Sequence, residues 1–454
     1  MFRARGLGII VLLFAISLPA VTLRIYASDE VQYFAFLRSL WFDHDVEFDN
    51  EYRHFVDERG DTLRRFAETF LAGTTPTGHR LSFATIGSAL LWAPFYAAGD
   101  LTARTLRALG APVGTDGYSL PYVAAVCYGS AVYGFASLLL SAAIARRFAA
   151  GTAAAVAAVW LGTPLLFYVY IGPVFAHACS AFAVALLIWL WLRARDRQWP
   201  LGDAVLVGLA GALATMVREQ DALLLVGPAI DFVWWAAAQR GQRLRHAATA
   251  AVTGLAAFAI AYLPQALAYL ALNGHLRPAG VVTRKMSWSS PHALDVLFST
   301  SHGLVFWTPL VVLAVAGLVL LGSRARRLAG YFLLMAAAAV YVSGSVESWT
   351  VAGAFGQRRF VSLTPLLVVG LAVLFDAVRR QAIGVRVTAA LAVGACLWWN
   401  VGLVAAFGMH RMDRQRLTLA DNARTVFLQL PREAGSIAWR YVFDRSSFYH
   451  LPPQ

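Results

Sequence analysis

The sequence predicts an all-α polytopic membrane protein of about eleven transmembrane helices, with a large first outer loop that carries juxtamembrane helices. Three observations predict it. Of 454 residues, 59% are hydrophobic and only 14% charged, with a mean hydropathy of +0.60, a balance suited to a bilayer rather than to water. Apolar stretches of spanning length recur along most of the chain. Arginine clusters fall at every second junction between them.

Taken in order, the spans are expected at 7–25, 120–145, 149–171, 174–192, 201–217, 222–238, 247–272, 303–321, 329–346, 360–378 and 387–408. The basic clusters are Arg3/Arg5, Arg146/Arg147, Arg193/Arg195/Arg197, Arg240/Arg243/Arg245, Arg324/Arg326/Arg327 and Arg379/Arg380/Arg386. Their loops are short and nearly free of acid, so the positive-inside rule makes them cytoplasmic, with the N-terminus inside and the tail outside. Arg3 and Arg5 ahead of an apolar run resemble a signal peptide. The run is longer than a usual signal core, however, and the surroundings of Ala27 make a poor cleavage site, so an uncleaved span is expected. Segment 83–99 is apolar but short, and Gly87, Pro94 and Gly99 break it. As a crossing it would move Arg3 and Arg5 to the wrong side, so an interfacial or re-entrant helix is expected. The chain thus divides into a membrane domain, 1–408, and a short outer-face tail, 409–454.

The formal charge of +13 is almost wholly arginine, with Lys285 the single lysine. It suits basic loops and anionic membrane partners. The concentrated basic face of a nucleic-acid-binding domain is absent. Cys127, Cys179 and Cys396 lie in apolar runs, where they read as small buried hydrophobes. No glycine-rich phosphate loop, CxxC pair or HExxH helix occurs. Long polar stretches are usually functional, and here they all fall outside: 26–119, 273–302, 347–359 and the tail.

The leading candidates are Asp29 and Glu30, an acidic pair at the outer end of the first span. A carboxylate pair at a lipid boundary has an electrostatic cost, which makes it a functional candidate. Asp29 can serve as general base toward a hydroxyl, and equally as the N-cap of a following helix with Gln32 at N3. The aromatic segment 31–42, with Tyr33 and Trp41, is expected to lie in the interface. Five carboxylates follow between Asp43 and Tyr52. They read as a solvated loop, while Asp43 and Asp45 could hold a divalent cation, although their spacing is not that of a calcium loop. Arg218, Arg358 and Arg359 stand at outer ends of spans, where guanidinium can either reach lipid headgroups or clamp a phosphate. Lys285 is a weaker candidate of the same kind. His177 and His302 begin spans on the outer side, either as structural residues or as ligands to substrate.

Together these pieces resemble the integral-membrane GT-C glycosyltransferases, the superfamily of the protein O-mannosyltransferases and the aminoarabinose transferase. The resemblance rests on Asp29-Glu30 after the first span, on 87–96 (GSALLWAPFY), on 302–309 (HGLVFWTP), and on Trp349 with 353–359 (GAFGQRR). It implies a monosaccharide moved from a polyprenyl-phosphate donor, with inversion, to a lipid, glycan or protein acceptor at the outer face. It further implies Asp29 as general base, Glu30 as its positioning partner, and Arg218, Arg358 and Arg359 around the leaving phosphate. No cofactor is required on this reading; a divalent cation would help. The large soluble C-terminal domain of some members has no counterpart here. The tail aromatics Trp439, Tyr441, Phe443, Phe448 and Tyr449 read as a small interfacial patch. Composition and tight arginine turns point to a bacterial inner (plasma) membrane. Two other readings stay open: a transporter or flippase of lipid-linked glycans, and a non-catalytic GT-C-like subunit. The first needs a polar pathway, yet Asp203, Asp376 and Arg24 lie near span ends.

Overall fold

A computed structural model describes residues 2–351 and 353–448, apart from the side chains at 2–5, 59, 61 and 62. Arg3, Arg5 and Tyr449 are therefore outside the described side chains. Helices account for the ordered elements, and among the described residues the only β pairing is two isolated bridges, Thr74–Arg80 and Met286–Val346. Among the described residues, six helices are long and apolar enough to cross a bilayer: Leu120–Ala145, His177–Asp196, Gln242–Asn273, Leu310–Ser345, Arg358–Val378 and Ile383–Gly408. Gly6–Ala20, Thr152–Gly162 and Leu201–Val217 are shorter apolar helices. The protein is an all-α polytopic membrane fold.

Several boundaries differ from the sequence expectation for identifiable reasons. The first apolar run does not stay helical to residue 25. Pro19 ends it in a 3₁₀ turn, Leu18–Ala20, and the chain continues extended, with the Thr22 N–H donating to the Tyr170 carbonyl at 2.7 Å. The run 149–171 is broken at Thr163-Pro164 into Thr152–Gly162 and Leu165–Tyr170. Leu310–Ser345 has a non-helical residue, Ala325 (φ −146°, ψ 63°), and a Cβ on Gly322 would lie 4.0 Å from that of Ala329. Seven residues of straight helix would separate those positions by about 10 Å. The chain therefore reverses at the arginine cluster, giving two spans where the sequence predicts two.

Helices cross closely where side chains vanish. A Cβ on Gly317 would sit 1.8 Å from the Gly370 carbonyl oxygen, so Leu310–Ser345 and Thr364–Val378 touch backbone to backbone. The helix Gly87–Ala108 starts against the backbone of Met216 and Val217 and runs beside 121–133. Its start thus meets the Arg218 end of helix Leu201–Val217, and its middle reaches Pro121 at the start of helix Leu120–Ala145.

The opposite end is held by three buried aspartates, each matched by arginine. Asp203 meets Arg193 at 3.2 Å and Arg197 at 3.1 Å, and Asp231 meets Arg195 at 3.1 Å. Asp376 meets Arg324, Arg379 and Arg380 at 3.4, 3.3 and 3.1 Å. Breaking such pairs would leave an uncompensated buried charge.

Segment 26–119 forms a cap at the Asp29 end. Its core is aromatic, with Phe34, Phe36, Phe48, Tyr52, Trp92 and Tyr96 fully buried. Arg38, at the end of helix Ser28–Arg38, reaches Glu51 at 3.0 Å and also Asp43, tying that helix to Asp49–Arg59. Burial pushes the Glu51 carboxyl up to about 8.

Candidate functional site

Helix Ser28–Arg38 presents the acidic pair, and its capping separates the two acids. Glu30, not Asp29 or Gln32, completes the helix start. Its buried carboxylate accepts the N–H groups of Tyr26 at 2.9 Å and Ala27 at 3.1 Å. Gln32 instead accepts from the Phe83 N–H at 2.7 Å and donates to Ser28. The N-cap is Ala27, so the Asp29 side chain is not spent on capping. It is 40% exposed and accepts from Arg358 Nη1 at 2.6 Å. Tyr33, one turn further along the same face, lies among Arg218, Asp29, Arg358 and Glu219.

Arg358 and Arg359 open the 3₁₀ turn that leads into helix Thr364–Val378. The preceding loop is held in shape from several directions. Gly353 and Gly356 have φ of +73° and +61°, and a Cβ on Gly356 would come within 2.7 Å of Pro164. Phe355 packs against Phe167 and Phe407, and its carbonyl accepts the Tyr168 hydroxyl at 3.0 Å. Gln357 donates to the carbonyls of His302 at 3.2 Å and Trp349 at 3.1 Å. His302 stacks on Trp307 and donates through Nε2 to the Ala354 carbonyl at 2.8 Å. Burial holds its imidazole down at about 4, consistent with a neutral donor. The two sequence motifs at 302–309 and 349–359 are thus one clasp, with Arg358 and Arg359 at its tip.

Arg218 caps the end of helix Leu201–Val217 and points the same way. It donates to the His177 imidazole, and to Gln220 Oε1 at 3.1 Å, while Gln220 donates to the Arg359 carbonyl at 2.9 Å. Arg358 also stands 5.6 Å over the Phe175 ring. The charged groups facing Arg359 are Arg358, Arg218 and Asp29. Its Nη2 reaches Ser348 at 3.3 Å, while its Nη1 is buried with no partner among the described residues. Three guanidinium groups thus gather near Asp29, with Glu219 and the buried Asp221 as further carboxylates around Arg218, and the Nη1 of Arg359 is left as a buried donor without an acceptor. Such a cluster has the chemistry to receive an anion.

Of the residues singled out in the sequence, Asp29, Arg218, Arg358, Arg359 and His177 meet here. His302 stands behind them as the clasp's anchor. Lys285 pairs with none of these groups; its ammonium is 5.1 Å from the Phe83 ring and its carbonyl accepts the Glu347 N–H. Asp43 is engaged by Arg38 and by Asn50 at 2.8 Å. Asp45 accepts from Ser39 at 2.6 Å and from the Glu47 N–H at 3.1 Å. Carboxylates already taken by protein donors are a poor fit to a cation. Among the described residues no three His, Cys, Asp or Glu side chains gather into a metal-binding group. Sequence reasoning missed Tyr33 as a site residue, although its i+4 spacing from Asp29 signalled it. It also missed Tyr168, Gln220 and Gln357, for which no local signal exists.

No protein-family model matches the sequence, and no curated protein is similar to it in sequence. Solved structures are informative. ArnT from Cupriavidus metallidurans bound to undecaprenyl phosphate superposes with a TM-score of 0.53 at 14% identity, over 98% of this chain and 78% of that one. The apo state of the same protein gives 0.52 at 14% identity, over 97% and 78%. The fold is that of these ArnT structures. A GT-C-like architecture over nearly the whole chain agrees with the resemblance carried by the four sequence segments.

Proposed function

We propose that the protein is a glycosyltransferase that moves a monosaccharide from a polyprenyl-phosphate donor to an acceptor hydroxyl at the outer face of the membrane. The observation that carries this reading is the meeting of Asp29 with Arg218, Arg358 and Arg359, including the unpartnered Nη1 of Arg359. The ArnT structure bound to undecaprenyl phosphate has this architecture, which supports a lipid phosphate as the anion.

The residues divide the chemistry between them. Without donor, Arg358 is neutralised by Asp29. An arriving phosphate offers Arg358 and Arg359 a second set of acceptor oxygens and loosens the hold on Asp29. The freed carboxylate takes the proton of the acceptor hydroxyl. The acceptor oxygen forms its bond to the anomeric carbon from the face opposite the leaving group. The carbon–oxygen bond to phosphate breaks, and the electron pair leaves with polyprenyl phosphate, whose charge the arginines stabilise. Glu30 holds the start of the helix that carries Asp29 and so positions the base. The flippase reading fits less well, because the buried aspartates at the other end are each tied to arginine and line no polar path.

Membranes supplied with radiolabelled polyprenyl-phosphate sugar test the proposal. Asp29→Asn is expected to lower transfer by about 10²–10⁴-fold at unchanged protein level and melting temperature. Arg359→Ala is expected to raise the donor concentration for half-maximal rate about tenfold or more. Undiminished transfer in the first variant removes the general base. An unaltered donor dependence in the second removes the clamp.

A further inference from the structure

After Gly408 the chain does not leave the membrane region. It crosses the flank of the site, where the Leu417 N–H donates to the Thr300 carbonyl at 3.0 Å, and then forms Leu419–Arg424, Thr425–Gln429 and Leu430–Phe443. These pieces lie against the last span at a telling height. The Val426 carbonyl accepts Trp398 Nε1–H at 2.9 Å, the Phe427 ring stacks on Trp399, and a Cβ on Gly402 would lie 2.5 Å from Val426. Residues 398–402 precede the helix end at Gly408 by about 9–15 Å of helical rise, and lie about 18–24 Å from Arg386 near the other end. With a hydrocarbon core about 30 Å thick beginning near Arg386, Val426 and Phe427 sit inside it.

The face these segments turn outward is apolar. Leu428, Trp439 and Phe443 are 60%, 59% and 72% exposed, with Phe427 and Val442 beside them at helical spacing. Nearby charges are directed elsewhere. Glu433 is paired with Arg411 at 2.7 Å, Arg440 donates to Ser447, and Arg445 donates to the carbonyls of Pro19 and Val21, each at 2.8 Å. Arg424 and Arg432, which are exposed and border the stripe, are long enough to reach headgroups. The far end is fixed to the first span, with the Tyr441 hydroxyl donating to the Ala20 carbonyl at 2.9 Å. The last span, on which these segments pack, exposes Ile383, Val385, Val387 and Leu391 nearer its other end, as a lipid-facing helix would.

We propose that residues 425–443 re-enter the leaflet on the Asp29 side and bind lipid acyl chains through this stripe. The tail is then a half-span that closes the lipid-facing gap between the first and last spans. Acyl chains are the occupant because the covered depth is hydrocarbon depth and the stripe lies against a span that also turns apolar side chains outward.

The test uses the full chain in vesicles, with Cys396→Ala and single substitutions Leu428→Cys, Phe443→Cys and, as reference, Asp421→Cys. Each variant is prepared both with a bimane label, for quenching, and with its thiol free, for maleimide modification, and elution in detergent checks the fold. Phosphatidylcholine bearing a nitroxide on its acyl chain is expected to quench the labels at 428 and 443 at least threefold more than the label at 421. Both should resist a membrane-impermeant maleimide that modifies position 421. Equal quenching at all three sites, or ready modification at 428 and 443, overturns the proposal by placing the stripe in water. Resistance to maleimide without quenching also overturns it, because a protein surface, such as a second copy of this chain, then covers the stripe.

Discussion

Asp29 and Glu30 are adjacent in sequence and opposite in task. A buried carboxylate that accepts two backbone N–H groups fixes a helix start, and its removal costs about 0.5–2 kcal/mol. Glu30→Ala is therefore expected to lower the melting temperature while leaving the donor concentration for half-maximal rate unchanged. Measuring both on one preparation separates a positioning role from a substrate contact. The exposed, arginine-paired Asp29 is expected to give the converse result, with intact stability and lost turnover. The sequence made the acidic pair visible through its cost at a lipid boundary. It could not divide the labour, because both acids fit an N-terminal turn and only the burial of one decides. Arg218 and Arg358, whose codons lie far apart, showed themselves only as arginines at span ends. Their convergence, and the bridging by Gln220, depend on how three helix ends meet.

At the scale of elements, the cap and the membrane helices respond to different stresses. Glu51 joins two cap helices through Arg38, and its carboxyl titrates near 8 when folded against 4.5 ordinarily. The folded state thus holds that proton more tightly. Stability from this group is fully present below about pH 4.5 and is lost as pH rises through about 8. Glu51→Gln keeps the neutral form at every pH, so thermal melts between pH 6 and 9 are expected to show a shallower decline than the wild type. Within the bundle, Gly317→Val places carbon atoms where the Gly370 carbonyl now lies. The expected loss is about 1–3 kcal/mol or more, read as a lower melting temperature in detergent, with no change in the donor dependence of the surviving enzyme. Hydropathy and arginine turns made the spans legible. Their true ends were less so, since Pro19 and Pro164 stop helices inside runs that remain apolar, and hydropathy does not register a lost N–H.

For the molecule as a whole, charge is sorted by end. Buried aspartates with excess arginine close one end, and the carboxylate-guanidinium cluster occupies the other. Basic short loops set orientation, so the Asp29 end is expected outside. Alkaline phosphatase fused at the C-terminus should be active in intact cells, whereas a fluorescent protein exported to the same position should be dark; the reverse pattern would invert the assignment. The sequence anticipated this polarity because it resides in composition. It did not anticipate the tail's return along the last span, since residues 425–443 are too mixed to register as a crossing.

The ion pair between Asp29 and Arg358 joins positions 329 residues apart. Translation at about 5–20 residues per second separates their appearance by roughly 15–65 s. During that interval the nascent chain holds its acid without its counter-ion. On the proposed mechanism maturation is a late event in biogenesis, and a polypeptide terminated before Arg358 is expected to be inert however well its earlier helices insert.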